Sequence, residues 1–269
     1  MQKRRYRKKS NIRKIMFLVT IISFFTTILI VLKEEPEPAP AVSDITKPYT
    51  FEEELADFAY RNNLSQNDWP DYLLELVNKN PETKEFVLNY PLEKDTEYEI
   101  DLSEYKNCSS VPLLMQWDER WGYKEYAGEL MGISGCGPTC LSMVAIYLLN
   151  DTTLTPEYIA NFSTESGYSL DGNGSSWTLI SDGGEKLGIN VEEIPLMESV
   201  ITSNLEEGNP IICVMGEGDF TSTGHFIVMT DYVDGKIKVN DPNSKERSLK
   251  NWEYDNIKDQ IRNLWICTS

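Results

Sequence analysis

The sequence predicts an α+β fold in which a buried helix packs on an antiparallel sheet, preceded by one transmembrane helix and a small helical module. Three observations predict it. "CGPTCLSMVAIYLLN" (136–150) is apolar on every face at helical spacing, which makes its helix central rather than peripheral. "PIICVMG" (210–216), "GHFIVMTDYV" (224–233) and "KIKVNDP" (236–242) are strand-like runs, and Asp234-Gly235 between the last two is a hairpin signal. "IMFLVTIISFFTTILIVL" (15–32) carries no charge and, as a helix rising ~1.5 Å per residue, spans about 27 Å.

Taken in order, residues 1–14 form a basic tail holding eight of the 25 Lys and Arg residues and no acid. Such a flank stays in the cytoplasm, so the rest of the chain is expected outside the cell. The apolar run at 15–32 exceeds the ~7–15 residues of a cleavable signal. Its one candidate cleavage site, "APA" at 39–41, is interrupted by Pro40 and set back behind "KEEPEP". The reading favours an uncleaved signal-anchor in the cell membrane over secretion after cleavage. Residues 33–48, rich in Pro and Glu, read as an extended linker.

Residues 49–107 read as a helical lead-in. Phe51, Leu55 and Phe58 share one helical face; Trp69, Tyr72, Leu73, Leu76 and Val77 share another, with Asp68 as cap and Pro70 in the first turn. Asn80 caps a third helix opened by Pro81, with Glu82 in its first turn, ending near residue 92. The module is expected to be a spacer rather than a cover for the site. The main domain, 108–269, then supplies the buried helix, further helices at 177–187 and 197–207, and the three strands.

After the basic tail, 17 Lys and Arg stand against 43 Asp and Glu, a net charge of −26. That surface repels phosphate backbones and excludes nucleic acid as a partner. His225 is the only histidine, so any base needed near neutral pH defaults to it. Gly137 and Pro138 mark a helix start and put Cys136 at its N-terminus, where the helix dipole favours thiolate. Cys140, one turn deeper among apolar neighbours, reads as core.

A CxxxC pair with one histidine lacks the further ligands of a zinc site, and "DGNGSSW" (171–177) lacks the context of a phosphate loop. No metal or cofactor is therefore expected. The 171–177 loop reads as a plain flexible loop or as a cleft wall. A disulfide within one helical turn is geometrically poor, whereas Cys108 and Cys267 flank the domain and could staple it outside the cell. Trp117 and Trp121 read as core or cleft wall.

"QWDERWG…SGCGPTCLSMVAIYL" and "GHFIVMTDYVDGKIKVNDPNS" resemble the papain-like bacterial cysteine peptidases related to the double-glycine leader (bacteriocin-processing) peptidases, in their stand-alone branch. The resemblance covers about residues 110–267. It implies a papain-like peptidase domain with Cys136 as nucleophile, His225 as general base, Asp241 orienting the imidazole, and Gln116 as side-chain donor of the oxyanion hole. The implied activity is that of a thiol hydrolase acting on peptide or isopeptide bonds of peptides or proteins near the membrane or cell wall. A cell-wall amidase or endopeptidase, an acyl transferase, and a non-catalytic binding module of the same fold are the alternatives. Oligomeric state is left open.

One geometric condition follows. A strict two-residue loop at 234–235 would pair residue 241 with 228 and turn His225 to the opposite face. An irregularity is therefore expected near 232–235 or close to His225, with Asp231 as the fallback orienter.

Overall fold

The computed structural model describes residues 49–269. The basic tail, the apolar run at 15–32 and the linker lie outside the described residues, among which no helix is long and apolar enough to cross a membrane. Leu55–Ser269 form one compact unit.

The lead-in supplies α1 (Phe51–Asn62), α2 (Asp71–Lys79) and α3 (Lys84–Glu93). Helix α2 starts later than expected: its N-cap is Pro70, while the Asp68 carboxylate closes a capping box on Ser65 in the preceding short turn. Asn80 caps as its position implies, accepting from the Glu82 N–H at 3.1 Å. Trp69 donates to the Val87 carbonyl and locks the helices together.

After a short helix at Glu119–Gly122, a small two-stranded ribbon (Glu125–Tyr126 with Glu129–Leu130) and a helical turn at Met131–Ser134, the main domain enters its central helix α4 (Cys136–Leu149), fully buried from Gly137 to Ile146. Next come α5 (Pro156–Glu165) and α6 (Ser181–Lys186), the latter preceded by a short turn at Trp177–Leu179. Strand β1 (Asn190–Glu193) and α7 (Glu198–Glu206) lead to β2 (Ile211–Met215), β3 (His225–Val233) and β4 (Lys236–Asn240). Helix α8 (Lys245–Leu249), β5 (Asn251–Trp252) and β6 (Ile261–Thr268) complete the domain.

The six strands form one antiparallel sheet in the order β1-β6-β2-β3-β4-β5. The three expected strands are neighbours at its centre. Side chains alternate between two cores: Ile212, Val214, Phe226 and Val228 face α4, whereas Ile211, Cys213, Ile227 and Met229 face Ile201 and Leu205 of α7.

The hairpin turn is strict: Val233 pairs with Lys236, and Asp234 and Gly235 both take left-handed backbone, at φ of 53° and 76°. The irregularity falls instead at Met229–Asp231, after which Val228 pairs with Asn240. Continuing that register sets Asp241 opposite Ile227, on the same side as His225. A bulge is thus what lets the two residues meet, although it sits farther along β3 than the turn or the histidine itself.

The lead-in is docked on the main domain and does not act as a spacer. Phe86 stacks on Tyr123 with ring centroids 4.4 Å apart. It also lies over Gly122 and Gly132, where an added Cβ would come within 2.7 and 2.6 Å of its ring. Cys108 and Cys267 are both free thiols, and Cys267 is fully buried inside β6, so the two do not form the staple their flanking positions allowed.

Candidate active site

Helix α4 and strand β3 bring their first residues together. Cys136 opens α4 and lines the same cleft as His225 and Phe226, with the imidazole and the Gly137 and Phe226 N–H groups close enough to bear on its sulfur. His225 Nε2 faces Asp241 Oδ1 at 2.7 Å. Asp241 is fully buried, and burial of an isolated carboxylate would be costly. Three partners offset that cost: His225, the Asn243 N–H at 2.8 Å on Oδ1, and the Arg247 guanidinium at 2.5 Å on Oδ2.

These contacts set the protonation. Burial pushes the Cys136 thiol up, but the hydrogen bond and charge of His225, with the two backbone N–H groups, outweigh it and hold the thiol below its ordinary value. Burial alone would lower the imidazole; the Asp241 carboxylate and Cys136 overcome this and raise it to about 10. For Asp241, burial opposes ionisation, and the His225 and Arg247 charges reverse that, leaving the carboxyl below its usual range. Cys140, fully buried one turn below, is pushed well up by burial and is a core thiol. A thiol, an imidazole and a carboxylate connected in this way can hold a thiolate–imidazolium pair at neutral pH.

Gln116 lies buried in the same cleft, 2% exposed. Its Nε2 donates to the carbonyls of Gly132 at 3.0 Å and Ile133 at 2.9 Å, in the turn leading to Cys136. Its Oε1 is buried without a partner. Asp231 is not a rival orienter: it is 46% exposed and pairs with Lys238 at 3.6 Å. Trp121 is fully buried and donates to the Met115 carbonyl; Trp117 donates to the Asn243 carbonyl. Both are core braces.

The cleft above Cys136 has a volume of about 990 Å³. One wall is the 172–177 loop, with Trp177 half exposed and set edge-on to Trp265. Another is the 218–224 loop that runs into His225. The third comes from the lead-in, through Leu76, Lys79 and Asn80. Among the described residues no group of three or more His, Cys, Asp and Glu is placed to hold a metal ion.

Sequence reasoning missed Arg247, the lead-in wall, and the loop between Asp241 and α8 as a hub. Asn80 Nδ2 donates to the Asn243 carbonyl at 2.6 Å, and the Gln116 N–H donates to the Pro242 carbonyl at 2.8 Å. The "SKER" stretch carried only a weak signal, a serine ahead of a short polar helix.

Fold and site together define a papain-like cysteine peptidase. The chain matches the Peptidase_C39 like family over residues 108–269, more than half its length, and belongs to that family. Among solved structures it is similar to the peptidase domain of Streptococcus ComA, a bi-functional ABC transporter involved in a quorum sensing pathway. The identity is 16% and the TM-score 0.43, covering 59% of this chain and 98% of that one. It is also similar to a C39-like peptidase from Bacillus anthracis at 13% identity and a TM-score of 0.38, covering 64% of this chain and 98% of that one. A search of curated proteins found no match.

Proposed function

We propose that this cysteine peptidase is a membrane-tethered enzyme of the cell exterior that cleaves peptide or isopeptide bonds with Cys136, His225 and Asp241. Cys136 beside His225 at the floor of one cleft, with His225 bonded to the buried Asp241, carries the reading. The Cys136 thiolate attacks the carbonyl carbon, and the developing oxyanion takes hydrogen bonds from the Cys136 backbone N–H and Gln116 Nε2. Gln116 Nε2 donates to the Gly132 and Ile133 carbonyls in the resting structure, so its bond to the oxyanion replaces or shares one of these. His225 gives its proton to the leaving amine, and a thioester remains on Cys136. His225 then takes a proton from water, whose oxygen attacks the thioester; the acid leaves and the thiolate returns. Asp241 holds the imidazole and balances its charge.

The uncharged run at 15–32 and the basic tail before it support a single-pass anchor with the N-terminus in the cytoplasm. Substrates are then peptides or proteins held near the membrane or the cell wall.

Trace iodoacetamide at pH 5.5 to 6, with peptide mapping of the label, tests the nucleophile. An ordinary thiol of pKa about 8.5 is nearly inert there. Label is expected on Cys136 and is expected to vanish in His225→Ala. Labelling of Cys136 no faster than Cys108, the other thiol that is not fully buried, would remove the assignment.

A further inference from the structure

Asp241 depends on Arg247, and Arg247 depends on a residue from outside the family match. Arg247 lies on α8, a helix of five residues too short to hold itself. Ser244 caps it, accepting from the Arg247 N–H at 3.1 Å. The Ser244 hydroxyl in turn donates to Glu82 Oε1, and the N–H groups of Lys245 and Glu246 donate to the same carboxylate at 2.8 and 3.3 Å. Glu82 therefore supplies both the charge and the acceptors that the open end of α8 needs, across 162 residues of sequence. Asn80, two residues earlier, holds Asn243, whose own N–H is bonded to Asp241.

We propose that Glu82 of the lead-in is a positioning residue for the catalytic centre: by capping α8 it holds the Arg247 guanidinium on Asp241 and so sets the charge state of the Cys136–His225 pair. The proposal rests on the thiol-peptidase reading above. The titratable or charged groups that face Asp241 are His225 from β3, Arg247 from α8, Cys140 from α4 and Cys213 from β2. Arg247 is the one fixed cation among them. Without it the carboxyl protonates at higher pH, and the imidazolium loses its anionic partner as the medium is acidified.

The test is the pH dependence of Cys136 alkylation by iodoacetamide in the full-length chain, with thermal unfolding followed on the same samples. Glu82→Ala and Arg247→Ala are each expected to move the acid limb upward by about half a pH unit or more. Arg247→Lys, which keeps the cation, is expected to restore most of the limb, and Glu82→Gln to fall between. The double variant Glu82→Ala/Arg247→Ala is expected to move the limb no farther than Arg247→Ala alone, because Glu82 acts through the guanidinium. A Glu82→Ala protein with lower Tm but an unmoved limb overturns the proposal, and so do additive shifts in the double variant. A wild-type chain with no acid limb below the range of an ordinary thiol overturns the nucleophile reading itself, which is recognisable before any variant is made.

Discussion

Gln116 and His225 both sit in the cleft beside Cys136, yet they answer to different tests. In the proposed mechanism His225 controls whether a thiolate exists, and Gln116 enters only once an oxyanion forms. Gln116→Ala is therefore expected to leave iodoacetamide labelling of Cys136 intact. It should slow acylation by p-nitrophenyl acetate by about 10²-fold or more, the scale of losing one oxyanion donor. Equal losses in both reactions would mean that the side chain only shapes the turn at Gly132 and Ile133. Cys136 and His225 stood out by local rules, a helix-start cysteine and a solitary histidine, whereas Asp241 entered only through the family resemblance. Arg247 was not legible. Nothing in a short "SKERS" helix says that its arginine turns inward to a buried carboxylate; only the tertiary contact at 2.5 Å does.

The elements divide in the same way. Helix α4 and strands β2, β3 and β4 were readable from periodicity, since each carries its own apolar pattern. Strand β6 was missed although Ile261, Leu264, Trp265 and Ile266 are buried; it lies between β1 and β2, far from both in sequence. The need for a bulge was legible from side-chain parity, but its place at Met229–Asp231 was not. The docking of the lead-in was hidden as well, because a flat contact between an aromatic ring and two glycines leaves no periodic trace. Phe86 is buried, stacked on Tyr123 and seated over Gly122 and Gly132. Phe86→Ala is expected to destabilise the chain by about 3–5 kcal/mol in denaturant unfolding. A loss under about 1 kcal/mol would place the joint elsewhere, at the Glu82 and Asn80 contacts.

At the scale of the whole molecule, the site links folding to pH from both ends. The lowered carboxyl of Asp241 stabilises the fold above the ordinary carboxylate range, and that contribution is lost as pH falls through its folded value. The raised imidazole of His225 works in the other direction. Its contribution is complete below the ordinary imidazole pKa of about 6.5 and is lost as pH rises through about 10. The Tm advantage of the wild type over His225→Gln is therefore expected to be level up to about pH 6.5 and to shrink steadily toward pH 10. An advantage that grows across that interval would mean that the imidazole is held neutral, with the thiol neutral beside it.

The solitary histidine has a spectroscopic consequence. Histidine-selective isotope labelling puts one imidazole into the nuclear magnetic resonance spectrum of the chain, with no second ring to assign or subtract. The shifts of its two ring nitrogens distinguish imidazolium from either neutral tautomer. One pair of lines thus reports, through a whole titration and in every variant, where the catalytic proton resides.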